Sequence, residues 1–91
     1  MPLNGGKYTL TATYAQISTT DDNAYHQLTV QNPNASGGNG MFISGNGVND
    51  MGYIPPDRAW TFGPEAGTVK PTEIWIRGTA GDLAYFNGVR A

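Results

Sequence analysis

Residues 72–89 read TEIWIRGTAGDLAYFNGV, the pattern of two β-strands folded about a tight turn. Successive side chains of a strand point to opposite faces, so Ile74 and Ile76 share one face while Glu73, Trp75 and Arg77 share the other. Gly78, Thr79, Ala80 and Gly81 supply the turn, and the return strand runs from Asp82 to Asn87. An apolar face backed by a polar one specifies an antiparallel sheet packed on one side only. Trp75 breaks the pattern by placing an indole among charges. A large rigid ring on the outer face suits a contact with a partner, because Trp, Tyr and Arg anchor most interfaces. Trp75, its neighbours Glu73 and Arg77, and Tyr53 earlier in the chain are therefore the interface candidates.

The same period of two recurs upstream. Lys7 to Thr13 alternates with Tyr8, Leu10 and Ala12 inward, and Tyr14 to Ile17 either continues that strand or forms a short second piece. Tyr25 to Gln31 places His26, Leu28 and Val30 on one face. Asn32 to Gly40 is a loop by its proline and glycines, Met41 to Ser44 is a short strand, and Gly45-Asn46-Gly47 is a tight turn. Tyr53-Ile54 leads into Pro55-Pro56, and Ala59 to Phe62 forms a strand with Trp60 and Phe62 on one side, Trp60 in the core. Glu65 to Pro71 connects it to the closing pair. About seven short strands, spaced roughly 8 to 12 residues apart, predict an all-β fold. The expectation is a single small antiparallel β-sandwich or a jelly-roll-like barrel. One β domain covers residues 1–91, with Met1 to Gly6 read as a flexible N-terminal arm that orders on docking.

Composition narrows the functional classes. A chain of 91 residues buries a modest core, and with no cysteine it has neither a disulfide framework nor a thiolate metal site. Oligomerisation or docking is the expected source of added stability. Charged residues make up only 13% of the chain, whereas ten threonines and thirteen glycines give polarity without charge. A partner can cover such a surface without desolvating many ions. The net charge of −2 and five scattered basic residues give no footprint for nucleic acid. No apolar run approaches the length of a membrane span or a signal peptide, so neither nucleic acid nor membrane is expected as a partner.

Catalytic chemistry has little to stand on. His26 is the single histidine, and its place beside Leu28 and Val30 reads as a buried or interface residue. Asp21-Asp22-Asn23 is the one acidic cluster, but it lacks EF-hand spacing and suits a turn. Gly37-Gly38-Asn39-Gly40 has neither the lysine nor the following helix of a phosphate cradle. The expectation is no enzyme, no cofactor and no metal. Ten aromatic residues among few charges leave one other binding mode open, a stacking platform for sugar rings flanked by Asn and Asp side chains.

The order of segments also carries a resemblance. Leu28, Val30, Asn32 and Pro33, then Phe42, Gly45, Gly47 and Val48, then Gly52, Tyr53 and Pro55, and finally Ile74, Ile76 and the Gly78-Thr79-Ala80-Gly81-Asp82 turn resemble a class of small tailed-bacteriophage virion proteins. The match covers about two thirds of the chain, from Leu28 onward. The resemblance implies a β-sandwich or jelly-roll unit that binds the outside of an assembled capsid and stabilises it as a decoration or cement protein. Its partner would be the major capsid protein or another virion protein, and its location the virion, assembled in the host cytoplasm. A homo-oligomer, above all a homotrimer at a threefold lattice position, would also cover exposed strand edges. A host-recognition module of a fibre and a tail component are the alternatives.

Overall fold

The alternating segments fold as eight strands in the computed structural model, which describes residues 3–62 and 69–90. They are β1 (Leu3–Thr9), β2 (Ala15–Gln16), β3 (Tyr25–Gln31), β4 (Met41–Ser44), β5 (Gly52–Ile54), β6 (Ala59–Phe62), β7 (Trp75–Arg77) and β8 (Leu83–Arg90). Two four-stranded antiparallel sheets result, in the orders β1-β8-β3-β6 and β2-β7-β4-β5. Consecutive strands change sheet at every step except the β4–β5 hairpin. Eight strands wound in that way make a small jelly roll, which is the expected sandwich.

The inner faces carry the apolar half of each alternation. Leu28, Val30 and Ala84 of the first sheet meet Met41, Ile43, Ile54 and Ile76 of the second, and Leu10, Ile17 and Ile74 close the ends. Each Val, Leu, Ile or Met among them contributes roughly 1.5 to 3 kcal/mol when fully buried. Trp60 and Phe62 pack against this core from β6. A Cβ on Gly52 would stand 2.4 Å from the Trp60 ring, so the missing side chain on β5 is what lets the indole reach the second sheet.

Several local expectations give way to tertiary pairing. Leu3–Gly6, expected in the N-terminal arm, pair with Phe86–Val89, because β8 runs on to Arg90 and offers a ladder to the whole of β1. Met1 and Pro2 lie outside the described residues. The first strand accordingly ends at Thr9, and Ala12, expected inward, is exposed. His26 is exposed as well, and Tyr25 is buried in its place. A bulge between Tyr25 and Gln27 inserts one residue and reverses the phase of the alternation on that side. Most of the 65–71 connection is outside the described residues.

Among the described residues two polar side chains, Asn32 and Ser44, are wholly inside. The Asn32 side chain, 0% exposed, follows β3 at the start of the crossover to β4. Its Nδ2 donates to the carbonyls of Asn39 (3.0 Å) and Ile54 (3.2 Å), and its Oδ1 accepts the Asn34 N–H (3.0 Å). Its own N–H donates to the Arg58 carbonyl (2.9 Å). The side-chain amide thus ties the β3–β4 loop to the end of β5, and the main chain of the same residue ties both to the approach to β6. Replacing it by an isosteric apolar side chain, Asn32→Leu, leaves buried polar groups without partners and should cost about 1 to 3 kcal/mol. Urea unfolding should show this as a lower midpoint at unchanged m-value.

Candidate functional site

On the outer face of the second sheet one row of side chains crosses β5, β4 and β7 and ends at Tyr14, just before β2. Phe42 on β4 stands opposite Tyr53 on β5 and opposite Arg77 on β7. Ala15 pairs with Ile76, so Tyr14, one residue earlier, continues the row beyond Arg77. Phe42 and Tyr53 have ring centroids 5.1 Å apart at an interplanar angle of 53°. The Arg77 guanidinium lies 4.3 Å from the Phe42 centroid and 5.3 Å from that of Tyr14. The order along the row is ring, guanidinium, ring, ring.

Asp50, from the β4–β5 loop, completes the row. Arg77 Nη2 donates to both its carboxylate oxygens (3.3 and 3.2 Å), and the Tyr14 hydroxyl donates to Oδ1. The bond from Tyr14 holds the Asp50 carboxyl below the usual carboxylate range, and the charge of Arg77 acts in the same direction. Burial raises the Tyr14 phenol above its usual range, and its bond to Asp50 adds to that. The ion pair is partly solvated, with side chains 34% and 47% exposed, so its worth lies in fixing the guanidinium between the rings more than in stability.

Tyr53 is seated by a glycine. A Cβ on Gly40 would stand only 2.0 Å from the Tyr53 hydroxyl oxygen, so the bare backbone of residue 40 supplies the space that the ring end occupies. The ring remains 48% exposed. Beside the row, Gly45, Asn46, Asn49, Asp50 and Met51 line an open depression of about 350 Å³. Met51, which lines it, and Val48 in the same β4–β5 loop are also exposed, at 48% and 77%.

The four expected interface residues separate. Arg77 and Tyr53 belong to the row. Trp75 does face outward from β7, but the β4–β5 loop folds over it: a Cβ on Gly47 would stand 2.9 Å from the indole, and the ring is half-buried. Ser44 and Asn46 hold that loop in place. Ser44 Oγ accepts the N–H groups of Asn46 and Gly47, and Asn46 Oδ1 accepts those of Val48 and Asn49. Trp75 is therefore an internal support and not an open anchor. Glu73 is absent from the strand. Pro71–Glu73 form a 3-10 turn, and the Glu73 carboxylate accepts the Lys70 N–H (2.9 Å).

Tyr14, Phe42 and Asp50 were not expected. Phe42 had a readable signal, since Met41 and Ile43 are inward and the residue between them must point out. Tyr14 and Asp50 had none, because both lie outside strands and reach the row through the path of the chain. The Asp21-Asp22-Asn23 cluster is a turn: Ser18 Oγ accepts the Asp21 N–H, and Asp21 accepts the Asn23 N–H and the Tyr25 hydroxyl. Among the described residues no group of three or more His, Cys, Asp and Glu side chains could hold a metal, and no helix is long and apolar enough to cross a membrane. What the row offers is flat aromatic area, a fixed cation and a carboxylate.

No family model matches the sequence, and no curated protein matches it. Among solved structures, the chain is similar to one from Bacillus endospore appendages, described as a novel family of disulfide-linked pili. The identity is 17%, the alignment covers 99% of this chain and 87% of that one, and the TM-score is 0.48. A likeness at that level bears on neither function nor partner.

Two outcomes follow from the geometry. Because the folded-state pKa of Asp50 lies below its unfolded value, its contribution to stability is present above the ordinary carboxylate range and is lost as pH falls through the folded pKa. Denaturation measured across the acid range should show that loss, and Asp50→Asn should flatten it. Gly40→Ala should cost about 1 to 3 kcal/mol by overpacking. Most of that cost should vanish in a Tyr53→Ala background, read as coupling in a double-mutant cycle.

Proposed function

We propose that this chain is a non-catalytic structural protein that docks through the outer face of its second sheet. In line with the sequence resemblance, the surface it docks on is an assembled tailed-phage capsid, which makes it a decoration or cement protein of the virion with the major capsid protein as partner. The observation that carries the reading is the Tyr14–Arg77–Phe42–Tyr53 row with Asp50 beside it. Tyr, Phe, Met and Arg are enriched at interface cores, and the exposed Met51 and Val48 extend the row with apolar area. Arg77 is held by two rings and a carboxylate before any partner arrives, so little side-chain entropy remains to be lost on binding. The mechanism is mass action: a protein that binds the assembled lattice better than free subunits stabilises the lattice.

One observation favours a second reading, recognition of a surface glycan. The exposed Tyr53 ring sits on Gly40, next to a polar knot in which Asn34 and Asn39 donate to Asp82 (3.1 and 3.3 Å). An open ring beside amides and a carboxylate is the composition of a sugar site. A glycan array without signal at high protein concentration removes this reading.

The docking reading is tested by adding the purified chain to tailed-phage capsids stripped of accessory proteins. Binding should saturate at a fixed ratio to capsid subunits and raise the capsid melting temperature. Tyr53→Ala and Arg77→Ala should each weaken attachment by more than about 1 kcal/mol. Capsids whose melting temperature is unmoved by saturating protein would overturn it.

A further inference from the structure

Among the described residues the first sheet ends in a strand, β1, that pairs on one side only. Its four-stranded order places β1 at one edge and β6 at the other. The edges of the structure are managed unequally. β2 and β5 are two and three residues long, β6 has four, and Pro55 and Pro56 separate β5 from β6. Short strands and prolines blunt an edge. β1 is seven residues long, pairs with β8 in unbroken register from Leu3 to Thr9, and contains no proline and no bulge.

The direction of its free hydrogen-bonding groups follows from parity. The Leu10 N–H donates to the Asp82 carbonyl (2.7 Å), which continues the β1–β8 ladder by one step. Residues that exchange hydrogen bonds with a given neighbour alternate along an antiparallel strand. Tyr8, Gly6 and Asn4 therefore bond to β8, and Leu3, Gly5, Lys7 and Thr9 turn their N–H and C=O groups to the open side.

We infer that this edge pairs with the same edge of a second copy about a two-fold axis, joining two four-stranded sheets into one of eight strands. Antiparallel pairing of β1 with its own copy overlaps all seven residues in a single register. In that register Leu3 stands opposite the partner's Thr9, and Gly5 opposite the partner's Lys7. The four outward-bonding positions then meet one another in both strands. The register also accounts for the strand's one charge. Lys7, exposed on the outer face, is not set against its own copy but against a glycine, whose missing side chain leaves a path to the exposed Asn87 beside it. Slipping the register by two residues to oppose Lys7 with Lys7 shortens the overlap and places like charges face to face. The lysine thus excludes one slip, and the loss of overlap disfavours the slip in the other sense, which leaves the fully overlapped pairing. The contact is a two-fold one, unlike the trimer implied by the resemblance, and it leaves the Tyr14–Arg77–Phe42–Tyr53 row on the other sheet free.

Sedimentation over a dilution series, with the distance between spin labels in the dimer, tests the inference. The chain has no cysteine, so Thr9→Cys provides one labelling site per copy. The wild type should show a reversible monomer–dimer equilibrium. The two labels should lie about 20 Å apart, from the six-residue offset at about 3.4 Å per residue. Lys7→Pro removes an outward N–H while sparing the bonds to β8, and should weaken the dimer at least tenfold with the monomer still folded by circular dichroism. Should that variant misfold, the wild-type equilibrium and label distance decide alone. A chain monomeric at the highest soluble concentration, or a dimer with a clearly different label distance, would overturn the pairing.

Discussion

The position of the Asn39–Gly40 peptide governs the outer face of the second sheet, and a buried amide sets it. Asn32 donates to the carbonyl of Asn39 on one side and to the carbonyl of Ile54 on the other. The first bond fixes the seat under the Tyr53 ring, and the second fixes the residue next to Tyr53 in β5. Both halves of one contact are therefore held by one side chain. Because Asn32 is wholly buried, its bonds are not exchanged with water, and its geometry is as rigid as the core around it. From Tyr53 the order passes to Phe42, from Phe42 to Arg77, and from Arg77 to Asp50 and Tyr14.

Glycine makes this arrangement possible in so short a chain. Trp60 fills the core against Gly52, and Tyr53 lies on Gly40. At each place a large ring occupies the volume that a β-carbon would claim, so aromatic area is accommodated without thickening the sandwich. The cost is backbone entropy at the glycines, about 0.5 to 1 kcal/mol each, which at Gly52 the packing of the Trp60 indole against the core offsets.

The sandwich was legible in the sequence because two-residue periodicity and turn chemistry act locally. β3 and β6 coincide with their expected bounds, and Leu28, Val30, Ile74 and Ile76 are buried as alternation requires. What failed was wherever a non-local partner or a local hydrogen bond overruled the period. The bulge after Tyr25 exchanged it with His26, the capping bond of Glu73 removed that residue from β7, and the length of β8 drew the N-terminal glycines into a strand. The site was half legible. Arg77 faces outward as alternation placed it and Tyr53 shares its row, but Trp75, whose outward place prompted the expectation of an interface, is roofed by the β4–β5 loop. Alternation gives the face of a side chain and not what the rest of the chain lays over it.

The scarcity of charge takes on a spatial meaning in this light. Arg77, the one cation of the row, already has its carboxylate and its rings, while its neighbours are uncharged or aromatic. Covering an isolated arginine requires the partner to replace its hydration; covering one that is stacked and paired requires much less. The same bonds that hold Asp50 ionised therefore lower the desolvation cost of closing the face. Removing the carboxylate would expose that cost, because the guanidinium would enter an interface with its charge uncompensated. The loop that delivers Asp50 also roofs Trp75, so the support of the face and its neutralisation depend on one short turn, held by Ser44 and Asn46.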